Sequence, residues 1–117
     1  HHYKLDNFCA IIDNNGLQID GDVAKVMNPY PIAEKLRAFG FAVAEIDGND
    51  FDQLEAAFTL ARGTKGVPFA IVMKTVKGKG VSYMENNAGW HGKAPNDEEY
   101  ETAMKELRAQ LAEVEAM

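Results

Sequence analysis

The chain has 117 residues, the size of one domain, and its 46% hydrophobic and 26% charged residues are a globular composition. Its formal net charge of −6 argues against nucleic acid as a partner, because binding a phosphate backbone requires a basic surface. With one cysteine, no signal-peptide pattern and no apolar run near the roughly 18 residues of a membrane span, we expect a cytoplasmic protein without internal disulfides or membrane contact.

Apolar segments of two kinds alternate along the chain. Short apolar runs bounded by Gly, Asn and Asp are typical of strands buried on both faces, whereas apolar residues three and four apart are typical of helices. In chain order the pattern predicts a strand at 8–13, a helix at 29–40, a strand at 41–47, a helix at 49–63, a strand at 68–75, a loop at 77–95 and a helix at 96–117. This order predicts an α/β fold with a parallel sheet of at least three strands flanked by helices.

Capping residues indicate where the helices begin and end. Pro31 suits the first turn of the first helix, and Gly40 can close its end. Asp50, with Gln53 three residues later, is the predicted N-cap of the second helix. Asn96 is the predicted N-cap of the third. That third helix is a long surface helix with an apolar stripe, formed by Tyr100, Met104, Leu107, Leu111 and Val114.

Polar turns follow all three predicted strands. They are DNNGLQIDG at 13–21, DGND at 47–50 and KTVKGKG at 74–80. Parallel strands end at one edge of the sheet, where ligands of such folds bind, so we expect the turns to converge. Asn oxygens and turn carbonyls in the first turn suit Mg²⁺, although Asn-Gly and Asp-Gly also simply build turns. Composition alone leaves both interpretations open.

The segment at 77–95, KGKGVSYMENNAGWHGKAP, exceeds the length of about 12 to 15 residues beyond which loops are usually functional or disordered. KGKG either cradles a phosphate or forms a solvated turn, and it lacks the spacing of a P-loop. His91 lies between Trp90 and Gly92, where an imidazole can donate a proton or polarise a carbonyl. A lone loop histidine is nevertheless more often inert. The residues alone therefore leave the use of His91 open.

Two long motifs carry a family resemblance. KLDNFCAIIDNNGLQIDG and KTVKGKGVSYMENNAGWHGKAP, with the helix that follows, resemble the thiamine-diphosphate-binding half of transketolases. The match is closest to the N-terminal subunit of split bacterial transketolases, and it runs from about Tyr3 to Leu111. It implies a single partial thiamine-diphosphate-binding domain at 1–117, the C-terminal portion of that subunit. The implied enzyme is a transferase of the pentose phosphate pathway that moves a two-carbon ketol unit between sugar phosphates.

The resemblance also implies site residues. The Asn15 side chain would bind Mg²⁺ and the diphosphate, with the Leu17 carbonyl as a second metal ligand and Gly16 between them in the cofactor-binding turn. His91 aligns with the family's loop histidine, which implies that it reaches the cofactor and the donor sugar and polarises the substrate oxygen or moves a proton. Lys77 falls where the family has a residue near the cofactor.

Two departures from the family pattern shape the functional expectation. Asn49 stands in DGND where many transketolases have histidine, and the upstream Gly-Asp-Gly half of the diphosphate motif is not among these residues. We therefore expect a chain that is inactive alone, forms homo-oligomers and requires a complementary transketolase subunit. Two alternatives stay open: a non-catalytic assembly fragment, and a piece of another thiamine enzyme such as a deoxyxylulose-phosphate synthase.

Overall fold

A computed structural model describes all residues, 1–117. In chain order its elements are β1 (Cys9–Asn14), β2 (Leu17–Gln18), β3 (Gly21–Asp22), α1 (Val23–Val26), α2 (Ile32–Ala38), β4 (Ala42–Asp47), α3 (Phe51–Gly63), β5 (Phe69–Lys74), a 3₁₀ turn (Ala88–Trp90) and α4 (Asp97–Glu115). The main sheet is parallel, has the order β1-β5-β4 and contacts α2 and α3. The predicted α/β fold with a parallel sheet of three strands is therefore confirmed.

The last strand of the chain lies in the middle of the sheet. β5 pairs with β1 on one side and with β4 on the other, and its first four residues are buried. The register puts Asn14, Lys74 and Asp47 side by side as the final residues of the three strands. All three strands thus end at one level, which brings the turns that follow them to a common edge.

The core is small and lies between α3 and the sheet. Ala57 of α3 packs with Phe69 and Ile71 of β5, and partly buried residues of β4 surround them. Only nine residues are buried, and the radius of gyration of 17.5 Å exceeds the value of about 13 Å expected for a compact domain of this length. With extents of 53 × 40 × 17 Å, the molecule is a thin slab with few fully enclosed side chains.

The prediction that every strand is buried on both faces is wrong for the two edge strands, β1 and β4, neither of which has a fully buried residue. β1 forms one edge of the sheet, and alternate residues along it are exposed, with 51% of Ile11 accessible to solvent. Cys9 on the same face is exposed as well. The apolar run of β1 therefore presents an uncovered sheet face rather than a buried one.

The helix caps largely follow the sequence. Asp50 accepts hydrogen bonds from the backbone N–H groups of Asp52 and Gln53, as expected of an N-cap. Asn96 forms a capping box with Glu99 at the start of α4. Pro31, in contrast, is the N-cap of α2 and lies one residue before its first turn. The β2–β3 hairpin and α1 were not predicted, since segments of two to four residues carry too little periodicity.

The C-terminal helix α4 spans 19 residues, and only Ala103 in it is buried. Most of its predicted apolar stripe faces solvent, with Leu111 56% and Val114 67% exposed. No helix combines the length and apolar character that crossing a bilayer requires. The stripe is therefore present as predicted, but nothing within the chain covers most of it.

Candidate functional site

The three polar turns meet at the carboxyl edge of the sheet. The Thr75 hydroxyl donates a hydrogen bond to the Asp13 carboxylate, which joins the turn after β5 to the turn after β1. The Val76 N–H donates to Asn49 Oδ1 at 3.1 Å, which joins it to the turn after β4. Asn49 therefore holds the backbone of a neighbouring turn.

The turn after β1 is held in a fixed shape by Asn15. The Leu17 N–H donates to Asn15 Oδ1 at 2.9 Å, and the Val23 N–H donates to the Gly16 carbonyl at 2.9 Å. Gly16 has a φ of 74°, in the left-handed region that glycine adopts without strain. This geometry confirms that Asn15 builds the turn. It also leaves one lone pair on Oδ1 for another partner.

An open cleft of about 660 Å³ lies at this edge of the sheet. Asn15 and Gly16 line it from the first turn, Thr75 from the third and Asn86 from the long loop. Tyr30 also lines the cleft, and its hydroxyl donates to Asn14 Oδ1 at 2.9 Å. The cleft is the place where the polar turns present side chains to a common space.

Among the residues of this cleft that sequence reasoning missed are Tyr30 and Asn86. Asn86 has a φ of 53°, and its N–H donates to the Lys77 carbonyl at 3.0 Å. Asparagine adopts the left-handed backbone region more readily than most residues. The Asn-Asn pair at 86 and 87 was therefore the one sequence signal for a sharp turn here. Tyr30 offered no such signal because its approach to Asn14 is a contact between distant segments.

The structure does not bring all predicted site residues together. Asn15 and Gly16 line the cleft, and Leu17 is the next residue along the same turn. Lys77 contributes its carbonyl to Asn86, but its side chain does not line the cleft. His91 ends the 3₁₀ turn, where its N–H donates to the Ala88 carbonyl at 3.0 Å, and its exposed side chain is outside the lining of the cleft.

The residues of the first turn fit a magnesium ion whose remaining ligands come from a bound phosphate and from water. The Asn15 amide oxygen and the Leu17 carbonyl oxygen are hard, neutral donors of the type that Mg²⁺ accepts. No group of three or more His, Cys, Asp or Glu side chains in the chain has the arrangement of a metal site. Two neutral oxygens leave most of an octahedral shell to phosphate and water.

The long loop is fastened to α4 at several points. The Ser82 N–H donates to a Glu106 carboxylate oxygen at 2.7 Å, and Gln110 Nε2 donates to the Gly80 carbonyl at 2.9 Å. Two hydrogen bonds from Ser82 hold the pKa of Glu106 below its ordinary value, and the one from the Ser82 side chain has the larger effect. The loop that carries His91 is thus ordered by the C-terminal helix rather than by the sheet.

A second group of contacts surrounds the only tryptophan. Trp90 Nε1 donates to the Tyr83 carbonyl at 3.0 Å, and Lys93 Nζ lies 4.1 Å from the centre of the Trp90 ring. Lys93 Nζ also forms an ion pair with Glu99 Oε1 at 2.7 Å. The hydrogen bond from Lys93, and then the one from the Asn96 N–H, hold the pKa of Glu99 below its ordinary value. We call these four residues, Tyr83, Trp90, Lys93 and Glu99, the Trp90 cluster.

Comparison with known proteins gives a consistent result. The family described as the transketolase, thiamine diphosphate binding domain, matches residues 1–113. The chain is 39% identical over 115 residues to an apulose-4-phosphate transketolase subunit of Phocaeicola vulgatus, covering 98% of this chain and 41% of that one. It is 35% identical to the 6-deoxy-6-sulfo-D-fructose transketolase subunit SqwG of a Clostridium species, covering 93% of this chain and 40% of that one. The chain thus spans about two-fifths of the length of these relatives.

Solved structures show the same fold. The transketolase of Campylobacter jejuni superposes with a TM-score of 0.83 at 31% identity, over 91% of this chain and 16% of that one. A transketolase of Pichia stipitis, solved with sedoheptulose 7-phosphate, superposes with a TM-score of 0.82 at 22% identity, over the same shares. The second likeness concerns the fold alone.

Proposed function

The chain belongs to the family of the transketolase thiamine diphosphate binding domain, and from this premise we propose that residues 1–117 form a partial cofactor-binding domain of a split bacterial transketolase. The proposed enzyme is cytoplasmic, belongs to the pentose phosphate pathway and moves a two-carbon ketol unit between sugar phosphates with thiamine diphosphate and Mg²⁺. One observation carries the proposal: Asn15 and Gly16 line a cleft at the edge where three polar turns converge.

In this proposal the turn after β1 holds the charged end of the cofactor. Asn15 Oδ1 and the Leu17 carbonyl bind Mg²⁺, and Asn15 also contacts the diphosphate. Support comes from the hydrogen bond between Asn15 Oδ1 and the Leu17 N–H, which fixes the amide beside the cleft. Thiamine diphosphate, when bound, supplies the carbanion chemistry that the side chains of the protein cannot.

We assign His91 the catalytic contact to the cofactor and the donor sugar, where it polarises the substrate oxygen or moves a proton. Its side chain is exposed and therefore available to a ligand. Its backbone N–H donates to the Ala88 carbonyl, which holds the residue in place. Lys77 is assigned to the neighbourhood of the cofactor, supported by the hydrogen bond that its carbonyl accepts from the N–H of Asn86, a residue that lines the cleft.

We expect the isolated chain to bind thiamine diphosphate more weakly than the micromolar range, even with Mg²⁺ present. Asn15 and Leu17 offer the metal only two neutral oxygens, so the ion keeps most of its water and gains little from this chain. Isothermal titration of the 117-residue protein with thiamine diphosphate and Mg²⁺ measures the affinity. A micromolar dissociation constant for the isolated chain contradicts the idea that it holds one side of the site.

The activity itself is tested by reconstitution. The chain is mixed with complementary transketolase subunits, supplied with xylulose 5-phosphate and ribose 5-phosphate, and assayed for sedoheptulose 7-phosphate. Product formation that depends on both components supports the proposed function. The alternative of a non-catalytic assembly fragment is favoured by the small core and the uncovered apolar stripe of α4. Absence of product with every partner decides for that alternative.

We also propose that the chain forms homo-oligomers, and we expect sedimentation equilibrium at micromolar concentrations to give a mass above the monomer mass of 12.9 kDa. The edge strand β1 has free backbone groups along its outer side, and Ile11 within it is 51% exposed. Exposed apolar surface and unpaired sheet edges favour association. A monomer at every concentration up to the millimolar range contradicts this expectation, and Ile11→Lys, which charges the exposed face, serves as the control.

A further inference from the structure

We propose that Glu99 is a positioning residue, which fixes the backbone on either side of His91 without touching the imidazole. The inference rests on the proposed function, because His91 is the group that Glu99 positions. The nearest part of α4 to His91 in the chain is its first turn, and Glu99 is the residue of that turn that bonds to the loop through both its side chain and its carbonyl.

The residue before His91, Trp90, is held by two contacts of its own within the Trp90 cluster, and a third contact links them to Glu99. Trp90 Nε1 donates to the Tyr83 carbonyl, and the Tyr83 hydroxyl in turn donates to the Glu99 carbonyl at 2.6 Å. The Trp90 ring also carries Lys93 Nζ above it at 4.1 Å, within the range of a cation–π interaction. A bulky side chain held at its edge and its face leaves its backbone little freedom.

The residue two positions after His91 is held by Glu99 directly. Lys93 Nζ donates to Glu99 Oε1 at 2.7 Å, and 26% of the Glu99 side chain is exposed. The other carboxylate oxygen, Oε2, accepts from the Asn96 N–H at 2.9 Å and completes the capping box of α4. One carboxylate therefore joins the start of a 19-residue helix to the chain that follows His91.

His91 therefore lies between two residues, Trp90 and Lys93, that are both linked to Glu99. Trp90 is linked through Tyr83 to the backbone carbonyl of Glu99, whereas Lys93 donates directly to the Glu99 carboxylate. Loss of the Glu99 charge removes the ion-pair partner that holds Lys93 Nζ beside the ring, and through Lys93 and its contact with Trp90 it loosens the backbone on both sides of His91. Such loosening costs catalysis, because small displacements of a reacting group reduce rates by up to about a hundredfold.

The decisive variant is Glu99→Gln, with Glu98→Gln as its matched control. A glutamine at this position still accepts from the Asn96 N–H, so the capping box survives while the ion pair with Lys93 is lost. Glu98 lies in the same helical turn and is exposed, and its carboxylate forms no hydrogen bond or ion pair. Both variants remove one negative charge from the start of α4, so any effect of charge on the helix dipole is the same in each.

The primary measurement is NMR of the ¹⁵N-labelled 117-residue chain. Trp90 is the only tryptophan, so its indole N–H gives one unambiguous signal. For Glu99→Gln we expect hydrogen exchange of this indole to accelerate about tenfold. The order parameter of the His91 amide should fall from about 0.85 to below about 0.6. Glu98→Gln should change neither.

Each outcome supports or overturns the proposal. Equal effects of Glu99→Gln and Glu98→Gln, or no effect of either, overturn it. If circular dichroism shows that Glu99→Gln unravels α4, Lys93→Met decides instead, because it breaks the same ion pair from the loop side. Lys93→Met must then lower the order parameter of the His91 amide below about 0.6, and failure to do so overturns the proposal.

Kinetics of the reconstituted enzyme separate positioning from mere stability. Glu99→Gln should lower kcat about ten- to a hundredfold with an unchanged KM for the donor sugar, since a transition-state contact is lost. A rise in KM at constant kcat overturns the proposal. If the wild-type mixture is inactive, the proposed function fails, while the NMR comparison still decides whether Glu99 fixes the backbone at His91.

Discussion

His91→Gln should lower ketol transfer by the reconstituted enzyme by about 10²- to 10⁴-fold, the contribution of a positioned acid–base group. Glutamine retains hydrogen-bonding atoms in a side chain of similar length, but it cannot take up or release a proton near neutral pH. The imidazole is exposed and does not support the core, so the substitution should leave the fold unchanged. The measurement is the initial rate of sedoheptulose 7-phosphate formation from xylulose and ribose phosphates.

The control for this prediction is His2→Gln, which makes the same chemical change at an exposed residue of the N-terminus. It should leave the rate unchanged. The Trp90 indole signal should also be the same in His91→Gln as in the wild type, which confirms that the loop is intact. A rate for His91→Gln within about threefold of the wild type removes His91 from the catalytic site and contradicts its proposed role.

Ile71→Ala should abolish cooperative folding of the isolated chain. Ile71 is fully buried and belongs to the core formed with Ala57 and Phe69. Truncation of a buried isoleucine to alanine costs about 2 to 5 kcal/mol, and domain stabilities are only about 5 to 15 kcal/mol. With nine buried residues in the chain, the core has little reserve to absorb this loss. Thermal unfolding followed by circular dichroism measures the effect.

Ile11→Ala is a closely matched control for the core prediction. Ile11 lies opposite Ile71 in the register of β1 and β5, on the same face of the sheet, but it is 51% exposed. Measured at concentrations where the chain is monomeric, the same truncation should therefore lower the free energy of unfolding by less than about 1 kcal/mol. Equal destabilisation by the two variants contradicts the assignment of the core to the region between α3 and β5.

Local signals in the sequence predicted most of the helix and strand positions. Asp50 and Asn96 were identifiable as N-caps because a cap depends on residues two or three positions away. The order β1-β5-β4 was not predictable in this way, because strand pairing joins residues far apart in the chain, such as Cys9 and Phe69. The exposure of Ile11 follows from the same fact, since only the sheet order reveals that β1 is an edge.

The candidate site shows the same division between local and distant information. The residues of DNNG allowed either a turn or a metal ligand, and the structure shows that Asn15 makes the turn while one oxygen lone pair stays free. The family resemblance, rather than spacing, supplied the proposed tasks of Leu17, Lys77 and His91. Asn86 escaped prediction because its place at the cleft depends on the folded path of the whole loop.

The position of Trp90 gives the loop its own optical reporter. No second tryptophan contributes emission, and the indole lies next to His91 with a lysine ammonium 4.1 Å above its ring. Indole fluorescence is sensitive to nearby charge and to solvent access, so intensity and wavelength follow the state of this one loop. Events at His91 can therefore be observed in the unlabelled protein at ordinary optical concentrations.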